Sequence, residues 1–100
     1  MKTEQQTFVV RGAQPPVVEL DPEAGAVYVR FKRARVARTV ARPARFMHLA
    51  VDLDAKGEVI GIEAVGIDEF RLTTLLRMAD VTAPRVDLSE ARFRPVPVAA

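Results

Sequence analysis

The residues able to do chemistry are few, and the most suggestive lie in one stretch, Met47 to Glu63 (MHLAVDLDAKGEVIGIE). His48 is the only histidine and Ser89 the only serine, and there is no Cys, Trp or Asn. Without cysteine, disulfides, thiolate metal sites and thiol nucleophiles are excluded. A Ser/His/acid triad would need Ser89 beside His48, and nothing in the sequence brings them together. Gly57, Gly61 and Gly66 fall at hairpin and strand positions, so they do not form a phosphate-cradling loop. What remains is a small polar set, His48, Asp52 and Glu63. If a metal or an acid–base pair were present, these side chains would carry it. The plainer reading is a cross-strand polar pair, in which a carboxylate favours the imidazolium. The residues therefore commit to no catalytic set, no cofactor and no metal.

The set is positioned by a hairpin. Two alternating apolar runs flank Asp54-Ala55-Lys56-Gly57, with Gly where a turn needs positive φ. Met47, Leu49, Val51 and Leu53 share one face. A four-residue loop sets Val51 opposite Ile60, Leu49 opposite Ile62, His48 opposite Glu63 and Ala50 opposite Gly61. A three-residue loop would waste the core face. The outward face, His48, Ala50, Gly61 and Glu63, is the candidate interaction surface. Ala50 and Gly61 would make a shallow floor for an approaching backbone.

Around this hairpin, Thr7 to Val10 is a short β-prone run, broken by Pro15-Pro16. Val17 to Leu20 and Ala26 to Phe31 read as strands joined by the Asp21 to Gly25 turn. Val27, Val29 and Phe31 face one way, Tyr28 and Arg30 the other. A third strand is expected near Val36 to Val40, then Phe46 to Leu53 and Glu58 to Val65. The two hairpins resemble each other, by duplication or by convergence on one buried face. Leu72, Leu75, Leu76 and Ala79 are spaced as the buried stripe of a helix over about 68–79, with Asp68 suited to cap it. Asp87 to Glu90 can open one helical turn. Arg92 to Val98 alternates, but Pro95 and Pro97 confine it to an edge strand or an extended arm.

The expected fold is α+β: an antiparallel β-meander of about four to five strands with one amphipathic helix on the sheet. One hundred residues, 49% hydrophobic, suit a single domain. The expected division is an N-terminal arm (1–16), a domain (17–80) and an extended C-terminal arm (81–100). No apolar run reaches the roughly 20 residues of a membrane span. No apolar segment of a signal peptide follows Met1. A cytoplasmic location is expected.

Net charge is +2, but its distribution is uneven. Between Arg30 and Arg45 stand Arg30, Lys32, Arg33, Arg35, Arg38, Arg42 and Arg45, and no acid. Such a segment suits an acidic protein partner or nucleic-acid phosphates. Tyr28 and Phe31 are the aromatics at the start of the segment, one of them expected to be buried, so no stacking platform for single strands is evident.

The chain resembles the domain of unknown function 2283 family of small bacterial proteins, over about residues 17–63. The matching pieces are Asp21-Pro22-Glu23-Ala24 with Val27-Tyr28-Val29, Val36-Ala37-Arg38-Thr39, Val51-Asp52-Leu53-Asp54, and Gly57-Glu58-Val59-Ile60-Gly61-Ile62-Glu63. Gly25 stands where the family usually has an acid, and the Arg42 to Arg45 region looks inserted. The resemblance implies a small β-meander with a helix, no settled activity, and a role as companion of small toxin-like proteins. The expected function is a non-catalytic protein-interaction module, antitoxin-like and homo-oligomeric, whose partner is a second copy or another small protein. The alternatives are a nucleic-acid-binding regulator using residues 30–45, and a metal- or ligand-binding protein using His48 and Glu63.

Overall fold

Alternation builds most of the sheet. In the computed structural model, which describes residues 7–67 and 69–95, the strands are β1 (Phe8–Val9), β2 (Val17–Asp21), β3 (Ala26–Arg30) and β4 (Arg38–Ala41). They are followed by β5 (His48–Leu53), β6 (Val59–Val65), β7 (Val81–Thr82) and β8 (Arg92–Pro95). One helix, α1 (Leu72–Ala79), and a 3-10 turn (Leu88–Glu90) complete the elements of the described residues. The six-stranded sheet runs β4-β5-β6-β3-β2-β8, and a separate parallel ladder joins β1 to β7. Every pair in the large sheet is antiparallel except β2 with β8. This is the α+β sheet-and-helix fold that the pattern predicts, with more strands than the pattern shows.

The core face carries Val18, Val27, Val29, Phe31, Leu49, Val51, Leu53, Val59, Ile62 and Ala64. It is covered by Leu75, Leu76 and Ala79 of α1 and by Phe8, Val10 and Val81. The core thus extends past both expected domain bounds. Phe8 donates its N–H to Asp80 and Val10 to Thr82, at 2.9 and 2.8 Å, which ties the N-terminal segment beside the end of the helix. At the other end, β8 is an edge strand, as the prolines require. Residues 1–6 and 96–100, with the ends of both expected arms, lie outside the described residues. Among the described residues no helix is long and apolar enough to cross a membrane.

Three element boundaries differ from the sequence reading. The third strand runs Arg38–Ala41 rather than Val36 to Val40. The next begins at His48, because Phe46 takes φ +65° and breaks the extended run. The helix begins at Leu72, with extended Arg71 at its N-cap and no side-chain cap. The cap expected of Asp68 lies outside the described residues. Ile67 and Phe70 pack against the core in the segment before the helix, and that burial outweighs helix propensity.

The turns follow local chemistry. Asp21 Oδ1 accepts from the Ala24 N–H, and Gly25 takes φ +61°. Asp54 Oδ1 accepts from the N–H groups of Lys56 and Glu58, both at 2.9 Å, with Gly57 at φ +80°. The hairpin register nevertheless differs from expectation. Val51 faces Ile62, Leu49 faces Ala64, Ala50 faces Glu63, His48 faces Val65 and Asp52 faces Gly61. There are two causes. Asp54 donates its N–H to the Glu58 carbonyl at 2.9 Å, so the loop has three residues, Ala55 to Gly57, and not the expected four. A β-bulge then adds a second residue of offset. Leu53 pairs with Val59 and Asp52 with Gly61, so Ile60 is an extra residue without a partner on β5. Its carbonyl accepts from Phe31 N–H at 2.8 Å, on the other side of β6.

Candidate functional site

The face of the sheet away from the core carries a polar ladder that crosses all six strands. It starts on β8, where Arg94 reaches Glu19 of β2 at 3.0 Å. Glu19 also holds Arg30 of β3 at 3.1 Å, and Arg30 lies 4.9 Å from the centre of the Tyr28 ring. Tyr28 Oη donates to Asp52 Oδ2 on β5 at 2.8 Å, passing over Gly61 of β6. Thr39 of β4 donates to Asp52 Oδ1 at 2.6 Å. The strand alternation dictates this line: Glu19 faces Tyr28, Tyr28 faces Glu63, and Thr39 faces Asp52.

The shorter turn and the bulge together rearrange the predicted site. His48 Nε2 still lies 3.4 Å from Glu63 Oε1, but as a diagonal neighbour, with both side chains about half exposed. Asp52 is on the same face, yet its two oxygens serve Tyr28 and Thr39. Among the described residues no three His, Asp or Glu groups converge as metal ligands would. The expected floor at Ala50 and Gly61 is not open, since both residues are buried and the Tyr28 ring covers Gly61. Ser89 bonds its own turn, through its N–H and Oγ to Asp87 Oδ1.

The seven cations of residues 30–45 divide into two groups. Arg30 holds Glu19, Lys32 holds Asp54 at 2.6 Å and Glu58 at 3.1 Å, and Arg42 lies between Asp80 and the Phe8 ring. Arg33, Arg35, Arg38 and Arg45 are exposed and form no ion pair with another described residue. A cavity of about 270 Å³ is lined by Arg30, Lys32, Arg33 and Arg94. Of these four, only Arg33 has no carboxylate partner among the described residues.

Two titrations follow from this geometry. Burial, then the hydrogen bond to Asp52, pushes the Tyr28 phenol well above its ordinary 10.0. The fold therefore holds the neutral phenol, and stability falls as pH rises past the unfolded value. Tyr28 is the only tyrosine and there is no tryptophan. Near-ultraviolet absorbance of native protein is expected to show no tyrosinate band just above pH 10.0, the band appearing with unfolding. A band rising before unfolding contradicts the Tyr28–Asp52 bond.

Acid acts on the opposite sign. Hydrogen bonds from Arg94, then Arg30, hold Glu19 below its ordinary 4.5 against the cost of burial. Lys32, then the Glu58 and Lys56 N–H groups, hold Asp54 below 3.8. Both depressions stabilise the fold above the unfolded values, and that stability is lost as pH falls through the lower folded values. The thermal midpoint should fall as pH drops through 4.5 and 3.8 and below. In Asp54→Asn it should start lower and fall less, and parallel curves would contradict the assignment.

Sequence reasoning missed an apolar surface on the molecule's flank. Phe46 is 94% exposed, Phe93 56% and Met78 40%. Met47, Ile67, Phe70, Leu75 and Met78 line a shallow groove of about 60 Å³, with Glu69, Arg71 and Thr74 at its margin. Phe93 meets Phe70 edge to face at 6.1 Å, so the aromatic surface continues onto β8. The signal was Phe46 itself, an aromatic two residues before a strand that does not need it.

Comparison with protein-family models, with curated proteins and with solved structures gave no match for this chain.

Proposed function

We propose that this chain is a non-catalytic, cytoplasmic protein-interaction module that pairs with a second copy of itself. The observation that carries the reading is Phe46, 94% exposed at positive φ and next in the chain to Met47, which lines the groove with Ile67, Phe70 and Met78. Exposed apolar surface with a polar margin is typical of protein interfaces, and methionines adapt to the opposing surface. A twofold pairing sets a patch against itself. The groove margin carries Glu69 and Arg71, one of each sign, so self-pairing brings no net like charge together. The family resemblance of residues 17–63 supports the narrower role of companion to a small toxin-like protein.

The absence of native cysteine makes a direct test clean. Met78→Cys is expected to cross-link to a second copy with a short bis-maleimide. Lys56→Cys, at the hairpin turn, is expected not to. Equal yields from the two variants, or none from Met78→Cys, would refute self-pairing through this surface.

A further inference from the structure

We infer that the free edge of β4 accepts an extended acidic segment of a partner protein as an added strand. The inference rests on the interaction-module reading and supplies the partner's chemistry. Among the described residues β4 ends the sheet and pairs only with β5. Arg42 donates its N–H to Leu49 at 2.8 Å. Alternation then turns the backbone groups of Arg38 and Val40 toward β5 and those of Thr39 and Ala41 outward. That row of unpaired donors and acceptors is a template for another strand. The opposite edge, β8, is a poorer template because Pro95 has no N–H to give.

Charge decides the occupant. Arg38 lies in the strand, and Arg35 and Arg45 flank it, all exposed and without an ion pair among the described residues. A second copy at this edge would bring a second set of these arginines against the first, which opposes self-pairing. An acid on the incoming strand meets Arg38 with opposite sign. Val40 on the same face is half-buried, and Val36 just before the strand is 47% exposed. The segment that fits therefore carries an acid between apolar residues on one face, with further acids at its ends. Phosphate oxygens could use the same arginines and the outward N–H groups but have no donor for the outward C=O groups, whereas a peptide strand satisfies both, which favours a peptide over nucleic acid.

The test titrates full-length protein with the peptide Asp-Val-Thr-Glu-Thr-Val-Asp, followed by amide NMR. Shifts are expected to centre on Thr39 and Ala41. Binding should weaken about tenfold in Arg38→Glu, where like charges now face each other. It should be lost when lysine replaces the acids or when the peptide is N-methylated along one edge. Phe46→Ser serves as the control: it should lose self-pairing and keep peptide binding, so the two readings fail separately. The inference is overturned by no shift at Thr39 and Ala41, by equal binding of the N-methylated peptide, or by a DNA duplex that shifts these amides more strongly than the peptide.

Discussion

Ile62→Ala is expected to cost about 2–5 kcal/mol, the range for truncating a fully buried aliphatic side chain. Ile62 is 0% exposed at the middle of β6, with Val51 opposite on β5 and Val29 opposite on β3, both also at 0%. Two flanking strands hold the backbone in place, so the cavity cannot close by a shift of one element. Domains of this size hold about 5–15 kcal/mol in total. The variant should therefore sit close to its unfolding midpoint under mild denaturant, as read by circular dichroism in urea. Val40→Ala, at the one half-buried position of the otherwise exposed β4, should cost clearly less. A loss below about 1 kcal/mol for Ile62→Ala would mean that the hairpin does not occupy the centre of the core.

Gly61→Ala follows at about 1–3 kcal/mol, the usual penalty for overpacking. A Cβ built on Gly61 meets the Tyr28 ring at 2.5–2.6 Å. The backbone there is pinned between β3 and β5, so the ring has to move. Moving it breaks the 2.8 Å bond to Asp52 and draws the ring away from Arg30. The physical cause predicts non-additivity. In a Tyr28→Ala background the same substitution should cost much less, because the clash has gone. Equal costs in both backgrounds would dissociate Gly61 from Tyr28.

These two effects also show what the sequence could and could not reveal. The core face of the Met47 to Glu63 hairpin was legible because alternation is local: Leu49, Val51 and Ile62 are core, while Ile60 is buried as the bulge residue and not opposite Val51. The helix stripe Leu75, Leu76 and Ala79 was legible for the same reason. Register was not: the turn closes on three residues where core-face parity favoured four, and the bulge at Ile60 is joined to Phe31, just past β3, by a bond that no local pattern contains. Likewise β1 and β7 find each other across most of the chain, and two-residue strands have no periodicity to read. At the site, proximity of His48 and Glu63 survived the change of register because diagonal neighbours still meet. The Tyr28–Asp52 bond joins separate hairpins and was invisible. So was the division of the basic segment, since Arg30, Lys32 and Arg42 find their acids on β2, in the hairpin turn and at the helix end.

Two surfaces with different chemistry emerge from that division. The Phe46 flank is apolar with a balanced margin and suits a second copy. The β4 edge is basic with free backbone groups and suits an acidic strand. The polar ladder on the outer face links Arg94, Glu19, Arg30, Tyr28, Asp52 and Thr39 to one another.

Self-pairing through the Phe46 flank is measured most directly by sedimentation velocity across a concentration series. Wild type is expected to shift from monomer to dimer as concentration rises, and Phe46→Ser to stay monomeric throughout while unfolding at nearly the same temperature. A wild type that stays monomeric at every concentration, or a Phe46→Ser variant that dimerises as well as wild type, would contradict it.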